Sequence, residues 1–233
     1  MPDSFENIQC ESCLTRTQNL FRHLTDSEIH QIALNKITQF YKRGSILYQE
    51  NSHIKGFYCV QKGIIKIFKT GFDGKQQIIR FAKPGDIIGY RSVLSNEMAC
   101  SSSQVLENCI VCKVPSDILV NLVKHNGNFA LELLKLSCKE LGEANTFLTD
   151  IAQKSARERL AEIILFLQNE FGSDVNGVLK LILTREELAN IVGTATESVI
   201  RLLSEFKTEK LIELNGRKIK ILDAPGLKLL ANI

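Results

Sequence analysis

The chain has 233 residues, 44% of them hydrophobic and 24% charged, with a formal net charge of +3. That composition excludes a mostly disordered chain, the charge is too small to name an anionic partner, and no apolar run approaches the ~18 residues of a membrane span. The polar start Met1–Cys13 lacks the apolar core of a secretory signal, so a cytoplasmic protein with no membrane partner is expected.

Without a secretory signal, seven cysteines read as core packing, metal ligands or redox groups rather than a disulfide framework. From about Ile37 to Pro115 the pattern is short β-type runs cut by glycine turns. Gly56–Gln61, Gly63–Lys69, Gln76–Phe81 and Glu107–Val114 each span roughly 6–8 residues. Gly71–Gly74 and Lys83–Asp86 carry turn chemistry. Many short strands at close spacing predict a β-sandwich or barrel.

Residues 128–154 contain no proline and follow a heptad. Leu134, Leu141 and Leu148 form one series, and Leu131, Cys138, Asn145 and Ala152 form the other, three residues earlier. Those are the d and a positions of a coiled-coil seam, and an Asn at an a position sets register in a two-stranded coil. The mostly polar residues at b, c and f favour a dimer seam over an ordinary amphipathic helix.

A helix from Ala156 to Phe171 follows, and then the most specific signal in the chain. Thr184-Arg-Glu-Glu187 and Thr194-Ala-Thr-Glu197 both have the Thr-x-x-Glu form of a capping box, with Gly193 between them. Two helix starts ten residues apart across a glycine predict a helix-turn-helix. In the second helix Val199, Leu202, Leu203 and Phe206 form the buried stripe. Thr196, Glu197, Ile200 and Arg201 form the outward face. A carboxylate there can accept from cytosine, a guanidinium can bond guanine twice, and an isoleucine suits a thymine methyl. Beyond it, two short strands flank Asn215-Gly216, a favoured hairpin turn, and put Arg217 and Lys218 at the tip to meet phosphates. Residues 155–233 hold 11 Lys+Arg and 11 Asp+Glu, so specificity must come from placed contacts rather than bulk charge.

Over nearly its whole length the chain resembles the CRP/FNR family of bacterial transcription regulators. The residues that carry the resemblance are Lys83-Pro-Gly-Asp86, Ala156-Arg-Glu-Arg-Leu160, Thr184 through Gly193, and Glu197-Ser-Val-Ile-Arg201. The resemblance implies an α+β chain in three parts. Residues 1–127 are a β-roll sensor (a double-stranded β-helix of jelly-roll type) with an N-terminal helical segment, 128–154 a dimerisation helix, and 155–233 a winged helix-turn-helix. It further implies a homodimer that reads an inverted repeat in double-stranded DNA and contacts RNA polymerase. Glu197 and Arg201 match the base-reading pair, and Thr184, Arg185 and Ser198 match phosphate contacts.

Members that bind cyclic AMP hold its phosphate with an Arg-Ser pair, and the matching positions here read Ala99-Cys100, so cyclic AMP is disfavoured. The iron–sulfur branch uses N-terminal cysteines plus one thiol of the β-roll. Cys10 and Cys13 match two of the former and Cys112 the latter, while the remaining N-terminal ligand falls on Asn19. Cys109 or Cys100 are the substitutes considered, and Cys59 and Cys138 read as core and seam packing. An iron–sulfur cluster, a zinc or thiol-redox role, and plain packing all stay open, so the effector is unassigned.

Two other readings remain. One is a dimeric regulator without a ligand, acting constitutively or through protein contacts. The other is a metal-dependent β-sandwich enzyme. His23, His30, His53 and His125 form no close pair, and no nucleophile motif or phosphate loop occurs, so no enzyme is expected.

Overall fold

The computed structural model describes Cys10, Cys13 and Leu20–Ile233. They form two compact units: the described part of Met1–Gly74 with Ile78–Leu141, and Lys75–Gln77 with Gly142–Ile233.

In the first unit a 3-10 turn, Leu20–His23, precedes helix α1 (Asp26–Asn35). The helix starts at a capping box: Thr25 Oγ1 accepts from the Glu28 N–H, and the Glu28 carboxylate accepts from the Thr25 N–H. Eight strands follow: β1 (Ile37–Tyr41), β2 (Ile46–Tyr48), β3 (Gly56–Lys62), β4 (Ile65–Thr70), β5 (Gln76–Ala82), β6 (Ile87–Ile88), β7 (Ser102–Val105) and β8 (Cys109–Pro115). Helix α2 (Tyr90–Ser95) interrupts them, and α3 (Ser116–His125) and α4 (Gly127–Gln153) come after. The strands make two four-stranded sheets, ordered β1-β8-β3-β6 and β2-β7-β4-β5. The runs singled out in the sequence are β3, β4, β5 and β8. The two- to four-residue strands β2, β6 and β7 are too short to show a period, and β1 is exposed or half-buried throughout.

Strand alternation divides the buried residues into two cores. Tyr58 and Val60 of β3, with Cys109 and Val111 of β8, join Ile65, Ile67 and Ile88 in one. Phe57 and Cys59, with Cys112 and Val114, face the other way and pack with Phe21, Ile29, Ile32, Leu119, Leu122, Phe129 and Leu133. The antiparallel register sets Cys59 opposite Cys112, so the two thiols stand as cross-strand neighbours on the helix-covered face.

Helix α4 has two apolar faces. Phe129 and Leu133 are buried in its own unit. Leu131, Leu134, Leu141 and Leu148 are 51%, 59%, 63% and 65% exposed, and Cys138 and Asn145 are exposed on the same heptad. Among the described residues no helix is long and apolar enough to cross a membrane.

The second unit contains α5 (Ala156–Phe171), α6 (Arg185–Val192), α7 (Thr196–Thr208), the hairpin β9 (Ile212–Asn215) and β10 (Lys218–Ile221), and α8 (Ala224–Ala231). Ser155 and Glu158 cap α5 reciprocally. Its Leu160, Ala161, Ile164 and Leu167 are fully buried, and α5 packs on α8, α6 and α7.

Candidate nucleic-acid interface and thiol cavity

Helix α6 begins as its sequence dictates. Thr184 Oγ1 accepts from the Glu187 N–H at 3.0 Å, and the Glu187 carboxylate accepts from the Thr184 N–H at 2.7 Å. It ends on Gly193, whose φ of +72° is left-handed, with the Gly193 and Thr194 N–H groups both donating to the Ala189 carbonyl. The second expected capping box does not form. Thr194 is spent closing α6, so α7 starts one residue later with Ala195 as its N-cap and no side-chain cap.

The faces of α7 sort as expected. Val199, Leu202, Leu203 and Phe206 are buried, while Glu197, Ile200 and Arg201 are exposed and Thr196 and Ser198 half-buried. Ile200 leaves 49% of its surface open. Arg201 Nη1 donates to Glu205 Oε1 at 2.7 Å with two thirds of its side chain exposed, so the guanidinium is held lightly.

The hairpin also differs by one residue from the sequence reading. Asn215 pairs with Lys218, so the two-residue loop is Gly216-Arg217 rather than Asn215-Gly216. Only Gly216 takes a positive φ, +58°. An Asn-Gly turn of the expected type needs two such residues in succession, whereas glycine alone at the first loop position suffices for the alternative. Arg217 is thereby at the tip, and it and Lys218 are exposed.

Three arginines brace this architecture. Arg185 Nη2 donates to the Gly216 carbonyl at 2.8 Å and so ties the start of α6 to the hairpin loop; burial lowers its pKa. Arg159 Nε donates to the Val192 carbonyl at 2.8 Å, with Nη1 on the Lys154 carbonyl, placing a cation at the C-terminal end of α6. Arg157 donates to Glu205 at 2.8 Å and Glu209 at 2.6 Å, with its guanidinium 5.0 Å from the centre of the Phe206 ring. In the sequence Arg157 and Arg159 stand out only within the family match Ala156–Leu160, because Glu205, Glu209 and Val192, which they bind, lie on distant segments.

In the first unit, Cys10, Cys13, Cys59 and Cys112 line one cavity together with Lys36, Gln61, Phe21, Ile29, Ile32 and Val114. Cys10 and Cys13 are half-buried, and Cys59 and Cys112 buried. Burial pushes the Cys59 thiol well above its ordinary pKa, and the nearby Cys112, Cys13 and Cys10 add to that. Burial likewise raises Cys112, against the Thr38 hydroxyl contact and Lys36, which lower it. Burial opposes the Lys36 ammonium, yet its hydrogen bond to Cys10 and the charges of Cys112, Cys10 and Cys13 outweigh that and raise its pKa.

The sequence reading assigns Cys59 to core packing. The structure keeps it buried but makes it part of the cavity wall. Cys109 stands on the opposite face, where its Sγ meets the Glu107 carbonyl at 2.9 Å. Cys100 is exposed, with its Sγ accepting from Arg91 at 3.3 Å. Asn19 lies outside the described residues. Among those described, no group of three or more His, Cys, Asp or Glu side chains converges closely enough to hold a single metal ion.

Known proteins resemble both parts of the chain. The family model of the cyclic nucleotide-binding domain matches residues 38–126, and that of the Crp-like helix-turn-helix domain matches residues 158–230. Electron transport regulator A of Shewanella oneidensis is 29% identical over 229 residues, covering 96% of this chain and 90% of that protein. The fumarate and nitrate reduction regulatory protein of Yersinia pestis is 28% identical over the same shares of the two chains. Among solved structures, FixK2 from Bradyrhizobium japonicum superposes with a TM-score of 0.74 at 24% identity, covering 84% of this chain and 96% of that one. A crp/fnr family protein from Eubacterium rectale superposes with a TM-score of 0.77 at 22% identity, covering 92% and 98%. With a β-roll ahead of a helix-turn-helix and hairpin, and relatives that align from end to end, the chain belongs to the CRP/FNR family of DNA-binding transcription regulators.

Proposed function

We propose that the protein is a homodimer, paired through the α4 seam of Leu131, Leu134, Cys138, Leu141, Asn145 and Leu148, that reads an inverted DNA repeat with α7. Thr196, Glu197, Ile200 and Arg201 read bases, and Thr184, Arg185, Ser198, Arg217 and Lys218 meet phosphates. Residues 1–127 act as sensor, 128–154 as dimerisation helix and 155–233 as DNA-binding part. The protein works by binding rather than catalysis, in the cytoplasm, with RNA polymerase as the partner its family implies. The observation that carries the reading is the sorted α7, with Val199, Leu202, Leu203 and Phe206 buried and Glu197, Ile200 and Arg201 exposed one turn apart. That is the arrangement a recognition helix needs in a major groove.

The signal is read in the β-roll. Cyclic AMP does not supply it, because Ala99 and Cys100 stand where the phosphate-binding pair of cyclic AMP-binding members would be. Cys10, Cys13 and Cys112 share one cavity, which supports an iron–sulfur cluster held there. Relatives named for electron transport and anaerobic regulation support the same direction. When bound, such a cluster supplies one-electron redox chemistry tuned by its surroundings. Lys36 would balance negative charge, and Phe21, Ile29, Ile32 and Val114 would exclude water.

The test is a titration of wild type, Arg201→Ala and Lys218→Ala against the best operator and its single-base variants at two salt concentrations. Arg201→Ala is expected to cost ~1–3 kcal/mol and to relax preference at one base pair. Lys218→Ala is expected to weaken all sequences alike and lower the salt slope by about one unit. Equal loss on every sequence for Arg201→Ala would make that arginine a phosphate anchor and reassign the recognition face.

A further inference from the structure

We infer that Cys59 is the fourth thiolate of a Cys10–Cys13–Cys59–Cys112 centre that holds an iron–sulfur cluster. The inference rests on the cluster reading above and completes its ligand set. A cluster is ordinarily held by four cysteines, and the position matching the third N-terminal ligand is Asn19, whose amide cannot become a thiolate. The structure supplies the missing sulfur from the sheet. Cys59 pairs directly with Cys112 across β3 and β8 and lines the same cavity as Cys10 and Cys13.

The remaining cysteines are elsewhere. Cys109 faces the other core, Cys100 is exposed beside Arg91, and Cys138 is exposed on α4. Two further features of the wall suit an anionic cluster. Lys36 offers a cation on the Cys10 side. Gln61 has its Oε1 buried without a hydrogen-bond partner, and a half-turn of that amide, which exchanges oxygen and nitrogen, presents an N–H donor instead. Each ligating thiol would release its proton as its sulfur bonds to iron, and zinc at the same four cysteines is the alternative that metal analysis separates.

The experiment purifies the full chain without oxygen and measures iron, acid-labile sulfide and zinc per chain, with visible absorption and Mössbauer spectra. Cys59→Ala and Cys59→Ser are compared with Cys109→Ala, a buried cysteine of the other core, and Cys100→Ser, an exposed one. Circular dichroism reports whether each variant folds. Wild type is expected to carry iron and sulfide in equal amounts with every iron in sulfur-only coordination. Folded Cys59 variants should lose about tenfold or more of both, a range that even outer-shell changes reach, while the two controls keep theirs. Wild type without iron, or with zinc in its place, overturns the cluster reading itself. A wild-type cluster that Cys59→Ala retains in full overturns the role of Cys59 alone. A wild-type Mössbauer spectrum with an oxygen- or nitrogen-ligated iron does the same, even if every Cys59 variant misfolds.

Discussion

In the proposed recognition face, Arg201 would exchange one acceptor for another on meeting a base. In the free protein it holds Glu205, four residues on, an exposed pair of the kind that contributes about 0.3–0.5 kcal/mol. A bidentate contact to guanine contributes ~1–3 kcal/mol, so the exchange is favourable. Glu205 is not left bare, because Arg157 already donates to its other oxygen. Gly193 is the other residue on which the site depends. Its φ of +72° costs a side-chain-bearing residue about 1–2 kcal/mol, and an added Cβ would come within 2.7 Å of Ile151 Cδ1. Gly193→Ala should therefore lower the thermal midpoint by roughly 2–4 °C per kcal/mol lost, read by calorimetry. An unchanged midpoint would show that the turn accommodates a side chain.

At the scale of the element, α4 carries the plainest evidence of a partner. Leucines 51–65% exposed at seven-residue spacing leave apolar area whose burial is worth about 1.5–3 kcal/mol per side chain. In the proposed dimer a second copy of the same stripe would cover it, with Asn145 setting the register. Replacing Leu141 with glutamate places like charges opposite each other in the seam, and sedimentation velocity should then show monomer in place of dimer. A sedimentation coefficient equal to that of wild type would reject the seam. The recognition segment was legible in the sequence because Val199, Leu202, Leu203 and Phe206 follow the helical period, and Thr184 with Glu187 is a complete local motif. The second capping box and the Asn-Gly turn each missed by one residue for a shared reason. Thr194 and Asn215 have suitable local chemistry, but a neighbouring backbone had already taken them, as the closing turn of α6 in one case and the β9–β10 ladder in the other.

At the scale of the whole molecule, the proposed sensing by the β-roll requires a signal that supplies a difference in free energy between DNA-binding states. A cyclic phosphate is a poor candidate. Ala99 is 1% exposed and brings no charge, and Arg91, which reaches Cys100, also lies 3.9 Å from Glu140, itself bonded to Arg80. An anion buried there would have to compete with a carboxylate already in place. Micromolar cyclic AMP should give no calorimetric heat of binding and no rise in DNA affinity; a clear binding isotherm would contradict this.

The sequence by itself determined what depends on short periods and local motifs: the β-type runs that become β3, β4, β5 and β8, the heptads of α4, the two faces of α7, and the capping box at Thr184. These features follow from neighbours within one or two turns or along one strand. Only the tertiary structure decided that Cys59 joins Cys10, Cys13 and Cys112, that Arg185 ties α6 to Gly216, and that Arg157 bridges to Glu205 and Glu209. Each of these rests on strand register or helix packing between distant segments. Register sets which residue meets which across a sheet, and no local pattern around Cys59 encodes that its opposite number is Cys112.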